Sequence, residues 1–578
     1  MAVLRKSGVE AATPEEALSG PTYDGIVVAP LYDADDLPGT APFDRAARQT
    51  PGWDVRQRHA VADSEAVLAD LTGGVTSLWL VIGEGAIGAG ELPAVLEGVH
   101  LDLAPVVLEA GPRSREAAEA LFALAAERGV APSGNLGASA AGPGAAGART
   151  AAELAARCVA RFPGLRAVTV DATPYHDAGG SDADELGCSI ALAVANLRAL
   201  DGLGSARAFE QLEFRYAATD DQFATIAKLR AARKLWARVA QVCGVQSPQR
   251  QHVVTSSAMM TARDPWVNML RTTLACFAAG VGGADAVTVL PFDAALRPPD
   301  AFSRRIARNT QSLLLEEAGA GRVADPAGGS WYVERRTADL AARAWEWFQE
   351  IEAAGGVEAA GELIATRVAA TRERRDDDIA HRRFPITGVS EFADLHEKPL
   401  RASPGVPSPV EITGTGHLSS PVARTGEGPP GSAGGLPRIR YAREFEALRD
   451  LADAQAERPT VFLATIGPVA AHTARAAFAA NLFQAGGLAT ETAGPGTDPE
   501  QIATAFAVSG ATVACLCSTD RLYDEHAEAV AAALRRAGAR RVWLAGKGSH
   551  HGVDGCLFAG CDALDVLRTT FRDLEVTR

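Results

Sequence analysis

The stretch "VFLATIGPVAAHTARAAFAANLFQAGG", residues 461–487, contains one complete strand–turn–helix unit. Its first five residues predict a buried strand, Gly467-Pro468 a turn, and the alanine-rich run up to Gly486-Gly487 a helix. In α/β folds, cofactors dock where such a helix begins. This turn has no glycine-rich phosphate loop, no carboxylate and no acid–base pair, and its one histidine is His472. The stretch therefore poses the question of whether a cofactor site exists here.

Two further strands continue this pattern toward the C-terminus. Residues 512–516 and 541–545 are apolar runs typical of parallel strands. Thr497-Asp498-Pro499-Glu500 predicts a capped helix start, with a capping box and Pro in the first turn. The alternation over residues 457–578 predicts a flavodoxin-like doubly wound domain.

A longer alternation of apolar runs and helical segments precedes this domain. Segment 220–244 is one such helix, with Asp near its start and Gly at its end. About eight strand–helix units over roughly 300 residues predict a (β/α)₈ TIM barrel, which with its following helices covers residues 26–385. The predicted strands are residues 26–30, 76–82, 104–110, 166–172, 212–217, 252–257 and 286–290.

The segments outside these two domains differ in composition. Residues 1–25 are expected to be an N-terminal arm, either disordered or wrapped around a partner. Residues 386–456 are expected to be a linker. Their central part, residues 401–438, is rich in Pro, Gly and Ser and cannot bury enough apolar surface to offset its ordering entropy.

Composition excludes several classes of function. The 578 residues carry a formal net charge of −15, which argues against a nucleic-acid partner. No apolar run is long enough for a membrane span, and the first residues lack a signal-peptide core, so we expect a cytoplasmic protein. The eight cysteines, including Cys556 and Cys561 near His550-His551, match no common zinc spacing. We expect buried, reduced thiols and no metal site.

Five segments resemble the methylmalonyl-CoA mutase family, over nearly the full length of the chain. They are "DLPGTAPF" (36–43), "KLRAARKLWA" (228–237), "DPWVNMLRTT" (264–273), "FSRRIARNTQSLLLEEAG" (302–319) and "RVADPAGGSWYVE" (322–334). The resemblance implies an acyl-CoA mutase barrel followed by a domain of the cobalamin-binding type. In this family a cobalt–carbon bond breaks to give a radical, which the barrel shields from water while the acyl-CoA rearranges.

The resemblance also implies where a cobalt ligand should stand. In catalytic members the first strand of the second domain leads into Asp-x-His-x-x-Gly, whose histidine binds cobalt and whose aspartate orients the imidazole. These three positions are Val469, Ala471 and Ala474 here, and a preceding family lysine falls on Thr465. His472 lies one residue beyond the ligand position, a rotation of about 100° on a helix. It is therefore a weak ligand candidate, and we expect it at the surface or an interface.

Other family positions have changed as well. A substrate-contacting tyrosine follows Trp-x-x-Arg-Gln in catalytic relatives, and Arg58 stands there in this chain. Val254 replaces the glutamine of the family's His-Ser-Gln-Thr-Ser-Gly strand, while Tyr175-His176 remains as a remnant of a Tyr-His pair. We expect His176 to be satisfied locally. In the second domain, Cys517-Ser518-Thr519 and Ala545-Gly546 stand at the family's Ser-x-Leu and Gly-Gly positions.

This pattern of retained fold and lost site resembles the small, non-catalytic subunit of heterodimeric members of the family. It implies a large catalytic subunit as partner, which carries adenosylcobalamin and converts methylmalonyl-CoA to succinyl-CoA. The N-terminal arm and the helices around residues 228–238 and 302–318 are candidates for the subunit interface. Two alternatives stay open. The chain could be a mutase in its own right, using His472 or cobalamin without a protein ligand, or a non-catalytic acyl-CoA-binding regulatory protein.

Overall fold

The computed structural model describes residues 11–37, 52–141, 145–398, 400 and 435–576. The chain divides into two compact units. The first comprises residues 1–259, 269–372 and 403–439, and the second residues 260–268, 373–402 and 440–578. Most of the predicted linker core at 401–438, and most of the "DLPGTAPF" segment, lie outside the described residues. The domain limits predicted from the sequence stay predictions.

The described part of the N-terminal arm forms local structure. It contains helix α1 (Pro14–Leu18), capped by Thr13, and an antiparallel pair of strands, β1 (Gly20–Pro21) and β2 (Val27–Val28). The prediction that residues 26–30 form a barrel strand is wrong. Val27 is 63% exposed, so this short apolar run belongs to a surface hairpin and not to a buried sheet.

The first unit contains the predicted barrel, which is confirmed. Its strands are β3 (Asp54–His59), β4 (Ser77–Val81), β5 (Val106–Glu109), β6 (Gly134–Ala138), β7 (Leu165–Asp171), β8 (Leu212–Ala218), β9 (Gln251–Thr255) and β10 (Ala286–Thr288). All eight are parallel, and β10 closes the barrel by pairing with β3 and β9. The carboxyl ends of these strands form the mouth where barrel enzymes place their sites.

Helices connect and follow these strands. They are α2 (Ser64–Thr72), α3 (Leu92–Val95), α4 (Ser114–Arg128), α5 (Ala145–Arg161), α6 (Thr173–Asp177), α7 (Asp182–Ala199), α8 (Ser205–Glu210), α9 (Gln222–Val242), α10 (Val267–Val281), α11 (Ala301–Ser312), α12 (Trp331–Ala353) and α13 (Gly361–Ala380). Short 3₁₀ turns lie at Ala34–Asp36, Ala89–Glu91, Gly111–Arg113 and Asp201–Leu203, and a π-helical turn, Leu313–Glu317, continues α11. In the described residues no helix is both long and apolar enough to cross a membrane.

The second unit contains a five-stranded parallel sheet in the order β12-β11-β13-β14-β15. Its strands are β11 (Thr460–Thr465), β12 (Ala489–Thr492), β13 (Val513–Cys517), β14 (Arg541–Ala545) and β15 (Gly555–Leu557). Its helices are α14 (Arg443–Asp453), α15 (Val469–Ala485), α16 (Pro499–Ser509), α17 (Asp520–Arg536) and α18 (Ala563–Asp573). This strand order is that of the flavodoxin-like fold, which is confirmed.

Two local features of this unit differ from the sequence expectation. Helix α14 lies inside the range 386–456 that was predicted to be a linker. The N-cap of α16 is Asp498, whose carboxylate accepts the backbone N–H of Glu500, and not Thr497. Since the strand order reverses between β11 and β13, the crevice above the carboxyl ends of these strands is where the fold binds ligands.

Candidate functional site

The turn after β11 is fastened to its neighbours by backbone hydrogen bonds. Gly467 has a φ of +90°, and its N–H and C=O both pair with Gly496, at N···O distances of 2.6 and 3.2 Å. The Ile466 N–H donates to the Cys517 carbonyl at 3.0 Å. Thr465, at the family's lysine position, donates its hydroxyl to the Gly494 carbonyl at 2.6 Å. These polar groups at the edge of the sheet are therefore hydrogen-bonded to other groups of this chain.

The first turn of α15 presents aliphatic side chains at the three motif positions. Val469 is 59% exposed, Ala474 is exposed, and Ala471 is half-buried. A Cβ built on Gly467 would lie 3.6 Å from the Ala471 Cβ, so Ala471 faces the turn. None of the three side chains has a lone pair that could bind cobalt or orient an imidazole.

His472 is buried, with 8% of its surface exposed, so of the two expected positions, surface or interface, the surface position is wrong. Helical spacing places it on the face of α15 that also carries the buried Ala479 and Phe483. Neither ring nitrogen has a hydrogen-bond partner among the described residues. Burial lowers the pKa of His472 below its usual 6.5, so the imidazole is neutral near pH 7.

Polar side chains close the crevice between β11, β13 and β14. The Ser518 hydroxyl donates to the Ile466 carbonyl at 2.7 Å, and the Ser518 N–H donates to the Tyr523 hydroxyl at 2.8 Å. That hydroxyl also lies 2.8 Å from the Ala545 carbonyl oxygen. Tyr523 thus links the ends of two strands from inside the crevice.

Arg475 covers the same edge from α15. Its guanidinium donates to the Ser518 carbonyl at 2.7 Å and to the Asp520 carboxylate at 2.6 Å. A Cβ built on Gly546 would lie 2.9 Å from the Arg475 Cζ. The retained half of the family's Gly-Gly pair therefore makes room for an arginine of this chain.

An aromatic ring and two guanidiniums pack against one another inside the barrel near its mouth. Trp79 on β4 is 5% exposed, with the Arg58 guanidinium 5.2 Å and the Arg215 guanidinium 4.1 Å from its ring centroid. Arg58 lies 3.9 Å from the Glu109 carboxylate, and Arg215 lies 2.8 Å from Asp171. Two guanidiniums thus lie against the Trp79 ring, and the formal charge of each is matched by a nearby carboxylate.

The next strands extend this packing. Val254 is 8% exposed and clusters with Trp79 and Val107, where the family glutamine would offer an amide. His252 packs edge-on against Trp79 at 5.2 Å. Its Nδ1 accepts from Arg215 at 3.3 Å, and its Nε2 lies 2.8 Å from the Thr288 hydroxyl. Burial and the nearby guanidiniums lower the pKa of His252 well below 6.5, so the ring is neutral.

The remnant Tyr-His pair lies on α6, just after β7. His176 is 3% exposed, and its Nε2 is 2.7 Å from the Ser256 hydroxyl, while its Nδ1 is 4.0 Å from the Glu185 carboxylate. Tyr175 is 1% exposed, and burial raises its pKa well above 10. Both side chains are packed inside the first unit.

Buried charges lie behind this pair and were not predicted from the sequence. The Lys228 ammonium is fully buried, 2.7 Å from Glu185 and 3.0 Å from Asp182. The available signal was the pair of acids three residues apart at the start of α7, beside the apolar run 188–195. Lys228 lies on α9, and only the folded structure brings it into contact with Asp182 and Glu185.

The cysteines and histidines form no metal cluster in the described part of the chain. Cys515 and Cys517 are buried free thiols on β13, and Cys556 and Cys561 are half-buried. The Cys556 thiol lies 3.1 Å from the Gly548 carbonyl oxygen.

Comparisons with known proteins identify related chains. The family model described as "Methylmalonyl-CoA mutase" matches residues 91–405. The chain is 54% identical to "Methylmalonyl-CoA mutase small subunit" of Streptomyces virginiae, over 99% of this chain and 95% of that one. It is 44% identical to "Probable methylmalonyl-CoA mutase small subunit" of Mycobacterium tuberculosis (strain ATCC 25618 / H37Rv), over 92% and 88%. The "Methylmalonyl-CoA mutase large subunit" of Propionibacterium freudenreichii subsp. shermanii matches at 35% identity, over 44% of this chain and 36% of that one.

Proposed function

Since this chain belongs to the methylmalonyl-CoA mutase family, we propose that it is the non-catalytic small subunit of a heterodimeric mutase. Its partner is a large, paralogous subunit, which holds adenosylcobalamin and isomerises methylmalonyl-CoA to succinyl-CoA in the cytoplasm. This chain supports the active form of that partner through contact between folded surfaces. The closed crevice above β11 and β13 is the observation that carries the proposal.

A cobalamin does not fit the residues of this crevice. A histidine and an aspartate would bind and orient toward cobalt in the family motif, and the three motif positions here offer only aliphatic groups. At the carboxyl ends of β13 and β14, Tyr523 and Arg475 hydrogen-bond to the Ala545 and Ser518 carbonyls, so these polar groups are already paired within the chain. We therefore assign no cofactor step to this chain.

The barrel interior also favours a partner as the site of chemistry. An acyl group would have to displace Trp79 and separate Arg58 and Arg215 from their carboxylates. Both carboxylates are 28% exposed, and separating them from their guanidiniums would offset part of the binding energy of an acyl group. An open channel, as expected in the large subunit, carries no such cost.

The names of the relatives support the subunit role. The two small subunits align with this chain over nine-tenths of its length or more, whereas the large subunit aligns over 44%. A chain that matches small subunits along both domains is expected to share their place in an assembly.

Cobalamin binding tests the proposal. The chain is purified alone and after co-expression with a large subunit, and bound cobalamin is measured by absorbance after gel filtration. We expect none on the isolated chain and one per heterodimer in the pair. Stoichiometric cobalamin on the isolated chain would contradict the proposal and favour the alternative of an independent mutase.

The acyl-CoA-binding alternative is tested separately by calorimetry. Titration of methylmalonyl-CoA into the isolated chain is expected to give no saturable heat, because Arg58 and Arg215 are already engaged with Trp79 and with carboxylates of this chain. Binding at micromolar concentration without cobalamin would favour a regulatory acyl-CoA-binding protein instead.

A further inference from the structure

Helix α10 has an outward face without charge. Its sequence, "VNMLRTTLACFAAGV", contains one charged residue, Arg271, which is 6% exposed. The exposed positions one turn apart are Leu270, at 67%, and Leu274, at 43%. Thr273 between them donates its hydroxyl to the Met269 carbonyl of its own helix, at 2.6 Å. This face therefore offers water almost no polar group.

Helix α4 shows the usual pattern for an outer helix of this barrel. Its exposed positions include Arg115, Glu116, Glu119 and Glu127, while its other face is buried. A helix between a core and water carries charge on its solvent side, and one that is apolar all round is normally covered. The α10 pattern is that of a covered helix.

The apolar surface continues beyond α10. Phe277, one turn after Leu274, packs against a cluster that includes Ile226 and Tyr332. The Tyr332 ring contacts the ring of Phe223 at 5.5 Å and that of Tyr32, in the N-terminal arm, at 5.2 Å. The exposed leucines of α10 and this neighbouring aromatic group are together called the α10 face here: Leu270, Leu274, Phe277, Phe223, Tyr332 and Tyr32.

We propose that the α10 face docks the large subunit, an inference that rests on the proposed function. Aromatic residues are enriched and charged residues depleted at the cores of protein interfaces. A partner that covers Leu270 and Leu274 removes no ion pair from water. The free energy gained by burying these apolar side chains is therefore not reduced by a desolvation cost. The matching surface of the partner is then apolar and uncharged as well.

Charge favours a different chain over a second copy as the occupant. Each copy carries a formal net charge of −15, so two copies together would carry −30. Long-range repulsion opposes pairing through a face that has no charges of its own to offset it. The interface candidate around residues 228–238 is only partly accessible. Lys228, Leu235 and Trp236 are buried within the first unit, whereas Ala237 and Arg238 are exposed.

Paired substitutions on α10 test the inference. Leu270→Glu with Leu274→Glu is made in one chain and co-expressed with a tagged large subunit. Val508→Glu, at an 84% exposed position on α16, is the matched control. Gel filtration with light scattering measures the heterodimer, and circular dichroism checks that each variant melts like the wild type. We expect the paired variant to bind at least tenfold more weakly and the control to bind normally.

The outcomes separate the inference from the proposed function. A paired variant that assembles like the wild type overturns the α10 face and leaves the subunit role intact. A wild-type chain that pairs with no large subunit defeats the proposed function itself. Self-association of the wild type that the paired variant abolishes overturns the choice of occupant. If the glutamates prevent folding, Leu270→Ser with Leu274→Ser repeats the test without added charge, and normal pairing again overturns the inference.

Discussion

Asp24 fixes the N-terminal arm to the barrel at an electrostatic cost. Its carboxylate accepts the Ala183 N–H at 3.0 Å, at the start of α7. Burial, and next the charge of Asp182, raise the pKa of Asp24 from 3.8 to about 6, and Asp184 contributes in the same direction. Asp182 is itself held by Lys228, and Asp184 by Arg367 and Thr371. Asp24 is therefore protonated more readily in the docked arm than in the free arm.

The sign of this effect gives a pH-dependent prediction. A raised pKa stabilises the docked arm fully below pH 4, and this stabilisation is lost as the pH rises through 6. Asp24→Asn should strengthen docking at pH 7.5 by about 1–2 kcal/mol, discounted for partial exposure, and by clearly less at pH 4.5, where the docked carboxyl is mostly protonated. Hydrogen exchange of residues 20–28 measures this as slower exchange in the variant.

A second aspartate in the arm provides the control. Asp35 is exposed, so Asp35→Asn should leave exchange unchanged at both pH values. If Asp24→Asn and wild type exchange at the same rate at pH 7.5, the ionised Asp24 carboxylate does not destabilise the docked arm.

At the scale of the element, β6 shows why a strand needs glycine. A Cβ on Gly134 would lie 2.0 Å from the Val106 carbonyl oxygen on the neighbouring strand, and its φ is +129°. Gly134→Ala should therefore destabilise the chain by about 3 kcal/mol or more, measured by urea unfolding. The cause is a backbone clash that no side-chain movement relieves.

A second glycine, with open space around it, serves as a control that measures backbone strain without a clash. Gly129 ends α4 with a φ of +65° and would meet no atom within 4 Å. Gly129→Ala should cost about 1 kcal/mol, the usual penalty for a left-handed residue. Similar costs for the two variants would show that β6 can move away from β5.

The same element marks the limit of sequence prediction for the fold. Six of the seven predicted strands of the first domain lie in the barrel, because apolar runs of β-branched residues mark parallel strands. Strand β6, "GNLGA", was missed since close approach to β5 selects glycine over β-branched residues there. Strand β3 was not recognised as a strand because it carries charged side chains, such as Arg56, that are neutralised only inside the folded barrel by Glu213.

At the scale of the whole molecule, the sequence identified lost positions but not what replaced them. Alignment with a family motif was enough to mark Ala471 as aliphatic where a cobalt ligand would stand. The closing contacts join Arg475 to Ser518 and Tyr523 to Ala545, more than 20 residues apart in each case. Such pairs depend on the strand order, so no local pattern could predict them. The burial of His472 could not be predicted for the same reason.

A non-catalytic subunit should tolerate changes in its remnant site without loss of turnover by the complex. His176→Gln removes an imidazole that hydrogen-bonds Ser256 at 2.7 Å, so the variant should lose about 1 kcal/mol of stability. Mutase turnover of the reconstituted heterodimer should stay within about twofold of wild type, since the reaction occurs on the partner. Ser256→Ala removes the other side of this bond and serves as the matched variant. A fall in kcat of about tenfold or more in His176→Gln, with assembly intact and Ser256→Ala unaffected, would place His176 in the chemistry and end the non-catalytic assignment.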